Sequence, residues 1–128
     1  MTPNERAKKN LDYYLSWARN NKPVNNEQER RDECLKIFKK KNKEQLDELV
    51  KRAENHEILF CAEGWTGCSG YPFIMTFDFE VAFDYAFAYG IRNPHADLAR
   101  LEYYEIGGGN HNGGPEFFAY LGLKDRRK

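Results

Sequence analysis

The chain has 128 residues, with 20 Lys+Arg against 20 Asp+Glu and 41% apolar residues. That length fits one domain, because two cores of half the size would each be marginal. Zero net charge argues against a general nucleic-acid binder, and the apolar fraction argues against disorder.

The halves differ. Residues 1–58 carry a net charge of +3, residues 59–128 carry −3, and fifteen of the nineteen aromatics lie between Phe60 and Tyr120. The first half reads as polar helices and the second as an aromatic sheet-and-helix core.

A first helix is well signalled. Thr2 suits the N-cap, Pro3 the first helical position, and Glu5 a capping box. Ala7, Leu11, Tyr14, Leu15 and Ala18 repeat at helical spacing, with Tyr13 and Trp17 flanking the stripe. Lys22-Pro23 ends it, because proline disfavours helix in the residue before it. A second helix starts near Asn26, with Glu29 completing another capping box. Cys34, Leu35 and Phe38 face inward, and Leu46, Leu49, Val50 and Ala53 continue that face. Lys39-Lys40-Lys41-Asn42-Lys43 between them is polar all round. The favoured reading is one long helix to Asn55 or His56, with a break possible at Asn42.

Residues 57–62 read as a strand and 64–70 as a turn-rich loop. Residues 71–76 read as a second strand, with Pro72 near its start. A helix over 78–89 follows, capped by Thr76 or Asp78, stopped by Gly90 and apolar on most sides. Residues 98–106 read as a third strand, with Leu101, Tyr103 and Glu105 on one face. The Gly107–Gly114 stretch is a loop, residues 116–121 a fourth strand, and 124–128 a basic tail.

No apolar run approaches the roughly 18–20 residues of a membrane span. Residues 1–26 are charged throughout and lack the apolar segment of a signal peptide. Three cysteines, Cys34, Cys61 and Cys68, make an odd and sparse set that suits a reducing cytoplasm. With His56, His95 and His111 they show no metal-ligand spacing, so no metal or other cofactor is expected.

Glu80 and Asp84 are the most pointed pair. They lie four apart on one face of an otherwise apolar helix, where like charges cost about 0.2–0.5 kcal/mol. Asp78 adds a carboxylate at the N-terminal end, which the helix dipole favours. One reading is an acidic surface that meets a basic partner. The other is a solvated stripe paired to Arg92 or Arg100. The Lys39–Lys43 run could touch phosphate, but with Glu33, Glu44, Asp47 and Glu48 around it a solvated face is the simpler reading.

Gly67-Cys68-Ser69-Gly70 resembles the Cys-Ser-Gly nucleophile motif of NlpC-type cell-wall peptidases, and His111 with Tyr120-Leu121-Gly122 is similar to that family's histidine strand. The resemblance implies a cysteine hydrolase with Cys68 as nucleophile and His111 as base. The family sets its cysteine at a helix start, whereas Pro72 and a β-rich run follow here. A second resemblance, to ADP-ribosyltransferases, rests on order: a strand at 59–61, Thr76 ending the next strand, a helix of small residues at 81–88, a strand through Leu101, and Glu116 as the late catalytic glutamate. Cys61 stands where that family has Arg or His, so the resemblance implies a degenerate domain.

These features predict a single α+β domain over 1–128, with a helical part at 1–56 and a sheet-plus-helix part at 57–123. N-terminal helices pack on a small, mainly antiparallel sheet with one further helix. The expected function is a small cytoplasmic, non-catalytic protein that binds a macromolecular partner. That partner is a protein with a basic surface, met by Asp78, Glu80 and Asp84. Chains this compact, neutral and aromatic-rich are frequent among phage and mobile-element inhibitors. The alternative is a small enzyme, either the Cys68–His111 hydrolase or the degenerate transferase.

Overall fold

The computed structural model describes residues 1–65, 70–92, 98–107 and 116–122, with side chains over 1–62, 74–92 and 101–107. Its element order is α1 (Pro3–Asn21), α2 (Glu27–Lys41), α3 (Lys43–Glu54), β1 (Ile58–Trp65), β2 (Gly70–Thr76), α4 (Phe79–Arg92), β3 (Leu98–Glu105) and β4 (Glu116–Gly122). The fold is α+β, with the N-terminal helices and α4 packed on an antiparallel sheet of order β2-β1-β3-β4.

Helix α1 forms as its sequence dictates. The Thr2 hydroxyl accepts from the Glu5 amide at 3.1 Å and donates to the Glu5 carboxylate at 3.0 Å. Ala7, Leu11, Tyr14 and Ala18 are buried, and Tyr13 and Trp17 remain exposed. The helix ends at Asn21, and the Lys22 amide donates to the Ala18 carbonyl ahead of Pro23.

The expected capping box on α2 does not form. Asn26 sits in the left-handed region (φ 55°, ψ 37°), and its side chain makes no cap bond. A side-chain cap needs an extended N-cap backbone to aim its oxygen at the first-turn amides. The break at Asn42 is real, so two helices replace the favoured single one. Asn42 directs both its backbone N–H and its Nδ2 to the Phe38 carbonyl, at 3.0 and 3.1 Å. It closes α2 and leaves α3 without a side-chain cap.

Helix α3 ends in a Schellman turn. The His56 amide donates to Ala53 and the Glu57 amide to Arg52, which places His56 at the position where glycine is usual. Its φ is +57°.

Helix α4 does not stop at Gly90. It runs through that buried residue to Arg92, with ten of its fourteen residues buried. An apolar circumference is what a helix packed on both sides requires. Tyr14 of α1 meets Tyr85 at 5.0 Å, and Phe38 of α2 stacks on Phe79 at 5.7 Å. On the sheet side, Ile58, Phe60 and Ala62 of β1 alternate inward with Ile74 and Thr76 of β2 and Leu101 of β3. Register supports this, because Phe60 pairs with Thr76 and Ala62 with Ile74. Cys61 pairs with Met75 and Glu102 on the opposite face, and is also buried. No described helix is long and apolar enough to cross a membrane.

Candidate functional site

The segment from Thr76 to Asp84 carries the three carboxylates singled out in the sequence. Its start is fixed from afar. The Asn4 Oδ1, in the first turn of α1, accepts from the Thr76 hydroxyl at 3.0 Å and from the Phe77 amide at 2.7 Å. The Thr76 hydroxyl in turn accepts from the Asp78 amide at 2.9 Å. Asp78 Oδ1 then accepts from the Glu80 amide at 3.0 Å, satisfying a first-turn donor of α4. Asp78 is therefore a helix cap with one oxygen engaged.

Glu80 and Asp84 do lie on one face, and a cation occupies it. Arg31 of α2 donates from Nε to Asp84 at 2.7 Å, from Nη2 to Glu80 at 3.0 Å and from Nη1 to its neighbour Asp32 at 3.0 Å. Its guanidinium carbon lies 5.7 Å from the Phe83 ring centroid. The like-charge cost expected for an isolated pair is thereby removed. Burial alone would lower the Arg31 pKa, but its bonds to Asp84, Glu80 and Asp32 outweigh that, so the guanidinium is held charged more firmly than usual. Burial pushes the Asp84 carboxyl above its ordinary range, and the Arg31 bond opposes this without cancelling it.

Neither arginine named from the sequence fills this role. Arg92 points the other way. It donates from Nε to the Lys22 carbonyl at 2.8 Å, from Nη1 to the Ala88 carbonyl at 3.0 Å and from Nη2 to Glu27. It thereby fastens the end of α4 to the α1–α2 turn. The Arg100 side chain lies outside the described residues. Arg31 was missed because it is 53 residues from Asp84, and nothing local distinguishes it from the other surface cations of a polar helix.

The lysine run is exposed, as its reading as a solvated face implies, and it also borders a groove. Lys39, Lys40 and Lys43 line a half-open groove of about 790 Å³ between the α2–α3 elbow and the start of α4. Leu46, Val50, Phe77 and Phe79 supply its apolar surface, and Asp47, Glu54, Asp78 and Glu80 its acids. Among the described residues none of these three lysines makes an ion pair, whereas Glu80 is held by Arg31. Phe77 is backed by His56, whose ring stacks on it at 4.1 Å and 10°.

The enzymatic candidates are placed less favourably or not at all. Cys68 and His111 lie outside the described residues, as does most of the Gly107–Gly114 loop. Thr76 ends β2 as the transferase resemblance implies, yet it is 0% exposed, with its hydroxyl bound by Asn4. Glu116 pairs with Tyr103 through the backbone, and its side chain is outside the described residues. Cys34 and Cys61 are both buried. Among the described residues no group of three or more His, Cys, Asp or Glu is placed to hold a metal. No family model, curated protein or solved structure matches this chain.

Proposed function

We propose that this is a non-catalytic binding protein whose partner is another protein, docked in the groove between the α2–α3 elbow and the start of α4. The observation that carries this reading is an apolar floor flanked by lysines that make no ion pair among the described residues. An apolar strip rimmed by charge is the form in which proteins take up a segment of a partner. The acidic residues read from the sequence keep a part in it. Asp78 and the exposed half of Glu80 line the α4 wall and favour basic groups on the partner there. Asp84, beneath Arg31, contributes by holding that wall in place. An inhibitory role follows where the docked segment belongs to the partner's own working surface.

A photo-crosslinking residue at Val50, expressed in the native host, tests this. A discrete adduct is expected at Val50 and not at Asp12, which lies on α1 outside the groove. Equal adducts at both positions, or an adduct that survives Val50→Arg in protein crosslinked from an adjacent groove position, overturns the reading.

A further inference from the structure

Charge is not spread evenly along this groove. Lys39 and Lys40 lie in the last turn of α2 and Lys43 opens α3, so all three stand at the elbow. All three are exposed. Of the two acids that line the groove from the start of α4, Glu80 is engaged by Arg31 and Asp78 caps the Glu80 amide. The α3 wall then presents Leu46, Asp47 and Val50, and finishes at Glu54, the last residue of the helix. From Lys43 to Glu54 the wall is about 16 Å long at ~1.5 Å per residue. Among the described residues, the far end therefore carries a carboxylate without an ion pair beside the His56–Phe77 stack, and the near end three cations without one.

Resting on the docking reading above, we infer that the occupant is an amphipathic segment of about three helical turns with ordered charge. Its acidic end meets Lys39, Lys40 and Lys43, its apolar face covers Val50 and Phe77, and its basic end meets Glu54. Opposite charges at the two ends fix the direction in which the segment lies, because the reversed placement sets acid against Glu54 and base against three lysines.

The test uses synthetic 12-residue peptides sharing one apolar face. One has acidic residues at one end and basic residues at the other, one is basic at both ends, and one is uncharged outside the apolar face. Fluorescence anisotropy with the full chain should show the charge-ordered peptide binding at least tenfold tighter than the wholly basic one. Zero-length carbodiimide coupling should join its carboxylates to Lys39, Lys40 or Lys43, as read by mass spectrometry. The triple change Lys39→Glu, Lys40→Glu and Lys43→Glu should reverse the preference, and the Gln triple should erase it, with circular dichroism confirming that each still folds. Equal affinity for all three peptides overturns the charge order and leaves docking in the groove standing. Failure of all three to bind overturns both.

Discussion

His56 lies flat against Phe77, with ring centroids 4.1 Å apart and planes 10° from parallel. The backbone beneath that stack is one that glycine suits better, since His56 holds φ +57° at the close of α3. A side chain in the left-handed region costs roughly 1 kcal/mol, and an aromatic pair returns about 0.5–1.5 kcal/mol. The two effects nearly cancel, so His56→Gly alone should change stability by less than about 0.5 kcal/mol. In a Phe77→Leu background the stack is already gone, and the same change should stabilise by about 0.5–1 kcal/mol. Urea unfolding of the four proteins checks this; no difference between backgrounds would mean that the stack contributes nothing.

Arg92 should be among the costliest surface-to-core substitutions. Its side chain is 3% exposed and Glu27 only 15%, and it also serves two carbonyls. Arg92→Met leaves a mostly buried carboxylate and an uncapped helix end, and should cost about 3–5 kcal/mol. Arg92→Lys should recover part of this, because a single ammonium cannot span all three acceptors. A loss under about 1 kcal/mol for the Met variant would show that Arg19, 3.4 Å from Glu27, is sufficient on its own.

Asn4→Ala should destabilise by about 1–3 kcal/mol, since the fully buried Thr76 hydroxyl and the Phe77 amide lose their shared acceptor. Asn4→Asp retains an acceptor oxygen and should cost less. Thermal melts at one pH resolve the order, and a reversed order would place the donors elsewhere.

The pH dependence of Asp84 has a definite sign. Its carboxyl is raised above the ordinary 3.8 by burial, with Arg31 opposing. The folded state therefore binds that proton more readily than the unfolded state. Its contribution to stability is fully present below pH 3.8 and is lost as pH rises through the raised folded value. Compared with Asp84→Asn, the wild-type protein should gain relative stability on acidification through the carboxylate range. A relative loss over that window would mean that the Arg31 bond outweighs burial.

A related outcome reverses what sequence reasoning suggests. Neutralising Glu80 and Asp84 together relieves a like-charge pair on paper, so stability should hold or rise. With Arg31 bound to Glu80 as well, the single change Glu80→Gln instead strips the partly buried guanidinium of one charged partner and leaves the burial cost of the Asp84 carboxylate in place. It should destabilise by about 0.2–1 kcal/mol, measured by urea unfolding at neutral pH.

What was legible in the chain was periodic or local. The α1 stripe, its cap, the strand alternation through Phe60 and the all-round apolar helix follow from spacings of two or of three to four residues, and the α+β arrangement follows from them. Asn42 was visible as a weak point, but its amide bonds backward to Phe38 rather than forward, a choice that depends on the elbow geometry. Gly90 looked like a stop because a glycine favours helix ends, and burial against neighbouring elements overrode that preference. Glu80 and Asp84 were correctly placed on one face with Asp78 at the helix start, while the cation joining the pair came from a helix 49 to 53 residues earlier. The groove was illegible for the same reason, since its walls come from α2, α3 and the β2–α4 junction.

The bond between Asn4 and Thr76 spans 72 residues, and this has a consequence for synthesis. A chain emerging from the ribosome exposes α1 long before β2 exists, so Leu11, Tyr14 and Ala18 must wait in water or against provisional neighbours. Contacts of such separation are closed late and slow the search. Helix α1 is thus made before the elements that seat it, and anything that delays translation beyond Pro23 lengthens the interval in which its apolar stripe is unclaimed.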